Sequence, residues 1–391
     1  MPSIWTTVST TNPPAPDRPW LFDREENPLE IRIVEDVDAA EELVPEWDRL
    51  AVSCSLPFCS PDWMLAWWHA AAPPGARLLV TLHEEGGRVV GLGPFFVTTG
   101  RVPRARLLAS PASLRGAPLA APGFEGRVAA ELAAVFERQG IPLVRLDGIA
   151  TAPDWATLLA DGSGMSVQRG WDSPAPLVRL KGSTFEEWFD SRSANFRQQM
   201  RRDRRKLDEQ EATFRLSTEA TLEKDMASFT RLHSARWDPR GGSATMSPSI
   251  EEMILSAARL LVPQDRLRLW NVDIGGETIS SHIFLVAGGT VSYWLGGFDD
   301  RWSSMRPSIQ TLLAALEHAW GSGDEIFDLG PGEAAYKSRF TDEKTTVEWV
   351  DVIDSGNRAA GLILRREQLR RAVSARIPPA LRERIRSLVG R

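Results

Sequence analysis

A lysine beside a glycine-rich loop, two carboxylates near the same strand end and a histidine on a helix are the groups in this sequence that could move a proton or hold an anion. Lys337 follows Tyr336 and the run Gly330-Pro331-Gly332-Glu333, which continues the short apolar segment 325–329. A lysine at the carboxyl end of a strand can polarise a carbonyl or hold an acceptor's anionic group; a surface lysine capping the loop is the alternative. Glu333 and Asp328 are candidate bases at the same mouth, and Asp328 reads equally well as a structural loop acceptor. His233, in the run His233-Ser234-Ala235-Arg236-Trp237, titrates near neutrality and could take the proton of an amine. A satisfied core histidine is its alternative, and that reading is the stronger one for His282, which falls on a central strand. Arg236 and Trp237 would wall an acceptor pocket if their helix end faces it. The five histidines are scattered, and no Cys/His spacing of metal-ligand type occurs, so no metal is expected.

The elements that must position these groups lie between Thr290 and Phe340. Residues 291–295 are β-branched and aromatic and stop at Gly296-Gly297. Ile309, Leu312, Leu313, Leu316 and Trp320 then recur at helical spacing, Pro307 suits the first turn, and Gly321 and Gly323 end the helix. Residues 325–329 form a second strand, and a strand–helix–strand unit of this kind is right-handed with parallel strands. The helix would start at the mouth between two diverging strands. Unpaired amides at a helix start attract an anion, so this is a seat for a phosphate-bearing donor.

The stretch Tyr293-Trp294-Leu295-Gly296-Gly297-Phe298-Asp299, the Pro307-Ser308 helix start, the strand Phe327-Asp328-Leu329-Gly330, and Tyr336-Lys337 followed by Phe340 together resemble the GNAT superfamily. The similarity is greatest to its CelD-like (cellulose-biosynthesis-type) acetyltransferase group and more remote to the Fem peptidyl transferases; it extends over roughly residues 30–355. The resemblance implies that an acyl donor lies along Tyr293, Leu295 and Gly296, with its phosphates near Arg301, Arg306 and Ser308. It places Lys337 at the acceptor site, in a Tyr-Lys context like that of the Fem group. One departure is plain. Superfamily members usually carry a glycine-containing phosphate loop, whereas residues 301–308 contain no glycine.

The sequence also repeats itself. The segment 78–97 parallels 267–286 with the turns Gly86-Gly87 and Gly275-Gly276 in register, and 127–148 parallels 308–330. We therefore expect an α/β protein with mixed sheets, built as tandem duplicated GNAT-like domains with a basic C-terminal helical tail. The expected boundaries are a flexible arm over 1–28, a first domain over 29–180 that serves as scaffold and acceptor groove, a second over 181–355 that holds the donor, and an amphipathic tail over 356–391.

Composition limits the function classes. A chain of 391 residues with 42% hydrophobic content can bury two cores, and its net charge of −6 carries no global sign of nucleic-acid binding. The charge is uneven, however. Residues 358–391 hold ten Arg and two Glu, and a helix over 194–210 carries Arg197, Arg201, Arg202, Arg204 and Arg205 around a stripe of Phe196, Met200 and Leu207. These arginines could contact tRNA, and the tail could pack on the protein or touch an anionic membrane. Two cysteines, Cys54 and Cys59, make no disulfide framework, and no apolar run is long enough to cross a membrane. A cytoplasmic enzyme is expected: an N-acyltransferase that moves an acyl group, most simply from acetyl-CoA, to an amine on a small molecule, sugar or peptide. Two alternatives stand beside it: a Fem-type transferase using aminoacyl-tRNA, and a non-catalytic scaffold or RNA-binding protein on a degenerate GNAT fold.

Overall fold

The computed structural model describes residues 28–237, 243 and 245–376. Most of the arm expected at 1–28, the Gly241-Gly242 loop and the part of the tail beyond 376 lie outside them.

Two hairpins set the frame. β1 (Glu30–Val34) pairs with β2 (Arg77–Glu85), and β2 with β3 (Arg88–Thr98). The second copy runs β8 (Thr213–Leu216), β9 (Leu267–Ile274), β10 (Glu277–Ala287) and β11 (Thr290–Phe298). Each hairpin turns on a Gly-Gly pair with positive φ at both positions, where residues with a Cβ would be strained. In each copy a helix then joins two parallel strands. β4 (Arg104–Leu107) leads through α4 (Glu125–Arg138) to β6 (Leu143–Ala150), and β11 leads through α10 (Pro307–Gly321) to β12 (Ile326–Asp328). The duplicated α/β unit expected from the sequence is thus present.

The copies share one sheet. Its order is β1-β2-β3-β4-β6-β13-β7-β12-β11-β10-β9-β8, with the two-residue strand β5 (Leu119–Ala120) off this path beside β3. β7 (Met165–Arg179) follows the first copy in sequence yet pairs with β12 of the second, while β13 (Lys344–Asp354) follows the second and pairs with β6 of the first. β7 and β13 pair with each other along eleven positions, so each copy is completed by a strand from the other's end of the chain.

Helices cover both faces. α2 (Val44–Ser53), α3 (Pro61–Ala71) and α9 (Pro248–Leu261) pack together, and their core runs continuously from Trp47, Trp63 and Trp67 to Met253, Ile254 and Ile283. On the opposite face of the second copy, α6 (Phe185–Ser191) and α7 (Ala194–Asp208) pack with α10 around Trp188, Phe196, Leu316 and Phe327. α6 is opened by a capping box in which Thr184 and Glu187 satisfy each other's backbone N–H groups. The tail begins as α11 (Arg358–Arg376); Ala360 and Leu364 bury against Leu143 and Ile353, and Glu367 bridges Arg104 and Arg145.

Two parts of the sheet carry no clear sequence signal. Residues 100–123 are rich in Pro, Ala, Gly and Arg, yet they hold β4 and β5; four and two residues are too few to show a period in such a stretch. Nor does β7 announce itself. Pro174 and Pro176 remove two ladder donors, but their carbonyls still accept N–H bonds, from Gly332 and Leu329.

Candidate active site

β11 and β12 pair over only three positions, Thr290 to Ser292 against Ile326 to Asp328. Beyond Ser292 they separate. β11 stays with β10 as far as Phe298, while the chain after Asp328 is drawn toward β7 through the Leu329 and Gly332 amides. A bulge sits just past the fork: Tyr293 faces Phe284 and Leu295 faces Ile283, leaving Trp294 as an extra residue. Bulges bend a strand, sharpen its twist and occur beside active sites. The Trp294 indole goes to the opposite copy, donating 2.7 Å to the Ala112 carbonyl and packing edge-on against Trp63.

The two glycines that end this strand have separate reasons. A Cβ on Gly297 would lie 2.6 Å from the backbone of Leu232 and His233, and one on Gly296 would lie 2.5 Å from the His282 ring. β11 is therefore pressed between α8 (Leu222–Trp237) on one side and His282 on the other. His282 is fully buried with neither ring nitrogen hydrogen-bonded, and it stacks on Tyr293 at 5.3 Å. Burial, reinforced by the charge of Arg236, pushes its pKa down to about 3. Burial also raises the Tyr293 phenol and pushes Tyr336 up to about 12, with Arg236 pulling both the other way. The mouth thus gathers Tyr293, Tyr336, His282 and Arg236, whose guanidinium lies over the Phe298 ring. Leu295 and Gly296 are half-buried along it, and Trp237 is exposed at the end of α8.

Lys337 is buried. Its Nζ donates to the carbonyls of Gly330 and Pro331, both at 2.8 Å, and closes the loop that Gly330 and Gly332 open with positive φ. Burial pushes it down to about 8, against the pull of Asp328. One of its three N–H bonds remains for a ligand. Asp328 accepts from the Gly330 amide at 2.8 Å and lies 3.2 Å from Arg115 of the first copy. Glu333 stands exposed on the same loop, and Tyr336 packs edge-on against Phe340. His233 lies buried on α8, its Nε2 2.9 Å from Ser243 Oγ, between Phe229 and Trp237.

The cations expected to receive donor phosphates have protein partners. Arg301 bonds Asp299 and Glu277, and Arg306 bonds the fully buried Asp203 at 2.6 Å. Arg306 takes a positive φ of 50° as it turns into α10, and half-buried Ser308 follows in the first turn. The positive side chains at the helix start are therefore neutralised from within the protein. The sequence did not single out Arg115, Leu114 or the Trp294–Ala112 bond. Leu114 lies 3.2 Å from where a Cβ on Gly330 would stand, so the first copy's loop forms one wall of the mouth. No local signal marks such contacts. Among the described residues no group of three or more His, Cys, Asp or Glu could hold a metal, and no helix is long and apolar enough to cross a membrane.

Residues 194–338 match the sequence profile of the acetyltransferase (GNAT) domain. The whole fold is similar to FemX (11% identity, 79% of this chain and 96% of that one, TM-score 0.59). It is also similar to the C-terminal domain of a putative lysylphosphatidylglycerol synthetase from Agrobacterium fabrum (13%, 83% and 95%, 0.55) and to L-PGS from Bacillus licheniformis (12%, 84% and 96%, 0.53). Comparison with curated proteins gives no significant match. Residues 194–338 thus carry a match to an acetyltransferase (GNAT) domain on a mixed α/β fold, which supports a transferase.

Proposed function

We propose that this transferase moves an acyl group, most simply acetyl from acetyl-CoA, to an amine on a small molecule, sugar or peptide, with the acyl donor in the fork between β11 and β12. The observation that carries this reading is the parting of the strands after Ser292 and Asp328 with the bulge at Trp294 directly beyond it. Such a fork leaves backbone groups of β11 without a β12 partner, available to an extended donor. The reaction needs few fixed side chains: the amine nitrogen bonds to the thioester carbonyl carbon, the C–S bond breaks, the thiolate leaves and the amine loses a proton. Lys337 holds the Gly330–Gly332 loop and offers its remaining N–H to the acyl or acceptor oxygen. His233 or Glu333 takes the proton, and Arg236 and Trp237 flank the acceptor. On this reading the chain is cytoplasmic and belongs with the CelD-like group, residues 29–180 acting as scaffold and 181–355 as the donor half.

A second reading has its own support. The likeness to FemX and the exposed arginines of α7 suit an aminoacyl-tRNA donor. Calorimetry separates the two: saturable coenzyme A binding supports the thioester donor, whereas no coenzyme A binding together with tRNA binding that charge reversal at Arg201 and Arg204 abolishes overturns it.

A further inference from the structure

One recess lies away from the fork: a groove of about 590 Å³ between α6, α7 and α10. Its floor is apolar: Phe185, Phe189, Met200 and Leu313. Its rim is basic, because Arg197, Arg201, Arg204 and Arg205 fall on one stripe of α7, and Glu317 is the one acidic side chain in the lining. Some of this charge is partly engaged. Arg201 lies 3.5 Å from Asp190 and over the Phe189 ring, Arg204 lies 3.0 Å from Asp208 and over Phe214, and Arg197 donates to the Asp190 carbonyl. Counting Asp190 and Asp208 with Glu317 against the four arginines, the groove keeps a small net positive charge, and among the described residues no carboxylate lies within 4 Å of Arg205.

We infer that this groove binds one molecule of an amphiphilic phosphate ester, its apolar chain on the Phe185–Leu313 floor and its phosphate held by Arg201 and Arg205. The volume is that of a small-molecule site, and guanidinium groups grip phosphate oxygens bidentately. The ligand is a single chain rather than a bilayer surface. Met200 and Leu313 are 2% and 7% exposed and the two phenylalanines half-buried, so the apolar atoms are recessed and a flat membrane would meet arginines first. The assignment stands independently of the donor at the fork, since the groove flanks α10 from Gln310 to Glu317 and uses none of the fork residues.

Titration calorimetry of the full chain with dodecyl phosphate below its micelle concentration tests this. One saturable site is expected, at least ten-fold tighter than for inorganic phosphate or for the neutral dodecyl maltoside. Arg201→Glu with Arg205→Glu should weaken it at least ten-fold, and Ala314→Phe, which fills the groove from a half-buried position, should do the same with an unchanged circular dichroism melt. The inference is overturned by the absence of saturable binding, by equal affinity in both variants, by inorganic phosphate binding as tightly, or by binding to phosphatidylglycerol vesicles alone. Coenzyme A binding, measured in the same variants, reports on the fork separately and is expected to persist.

Discussion

Arg115 of the first copy reaches Asp328 of the second at 3.2 Å, and the same guanidinium donates to Thr345 Oγ1 on β13 at 3.1 Å. Asp328 is 5% exposed and also holds the Gly330 amide. The strand end that opens the fork is therefore braced by the opposite copy. Replacing Arg115 with Ala leaves a buried carboxylate without its ion pair, which costs about 3–5 kcal/mol. Urea denaturation should show that loss, with Arg115→Lys recovering part of it. An unchanged midpoint in Arg115→Ala would remove the bracing role.

Gly297 approaches the α8 backbone too closely for a side chain, so Gly297→Ala should cost about 1–3 kcal/mol through overpacking. Gly126, in α4, has nothing within 4 Å of an added Cβ. There Gly126→Ala should stabilise by about 0.5–1 kcal/mol, because glycine is the poorer helix residue. Thermal melts of the pair check the contrast; similar effects at the two positions would contradict it.

Lys337 has a pH signature of defined sign. Its folded value of about 8 lies below the ordinary 10.5, so between these values the unfolded chain binds more protons than the folded one. The contribution of Lys337 to stability should rise with pH across that window, and below about 8 the burial penalty is felt in full. Comparing wild type with Lys337→Met at pH 7, 8, 9 and 10 reads this difference. A flat or falling difference would refute it. Lys337→Met should also leave the Gly330 and Pro331 carbonyls short of a donor, at about 1–3 kcal/mol.

Acid should act through two buried histidines. Burial pushes His83 down to about 4 and His282, near Arg236, to about 3, against an ordinary 6.5. As pH falls below 6.5 the unfolded state takes up protons that the folded state refuses, so stability falls. A His83→Gln, His282→Gln double variant should flatten the stability profile between pH 6.5 and 4. An unaltered slope would place the acid sensitivity elsewhere.

What the residues determine alone is local. Gly86-Gly87 and Gly275-Gly276 declare hairpins because positive φ is cheap only for glycine, and the stripe from Ile309 to Trp320 declares a helix because its period is 3.6. These short-range rules, applied twice along the chain, were enough to read the duplicated α/β unit and the stretch that forms the fork. Tertiary structure alone decided what each charge and strand meets. Arg306, a phosphate ligand by resemblance, is claimed by Asp203; Lys337, read as an acceptor-site group or a surface cap of its loop, is buried against two carbonyls; β7 and β13 complete each other's sheets; and Arg115 finds Asp328. A side chain's propensity travels with the chain, whereas its partner depends on which distant segments are folded against it, and no local spacing records that.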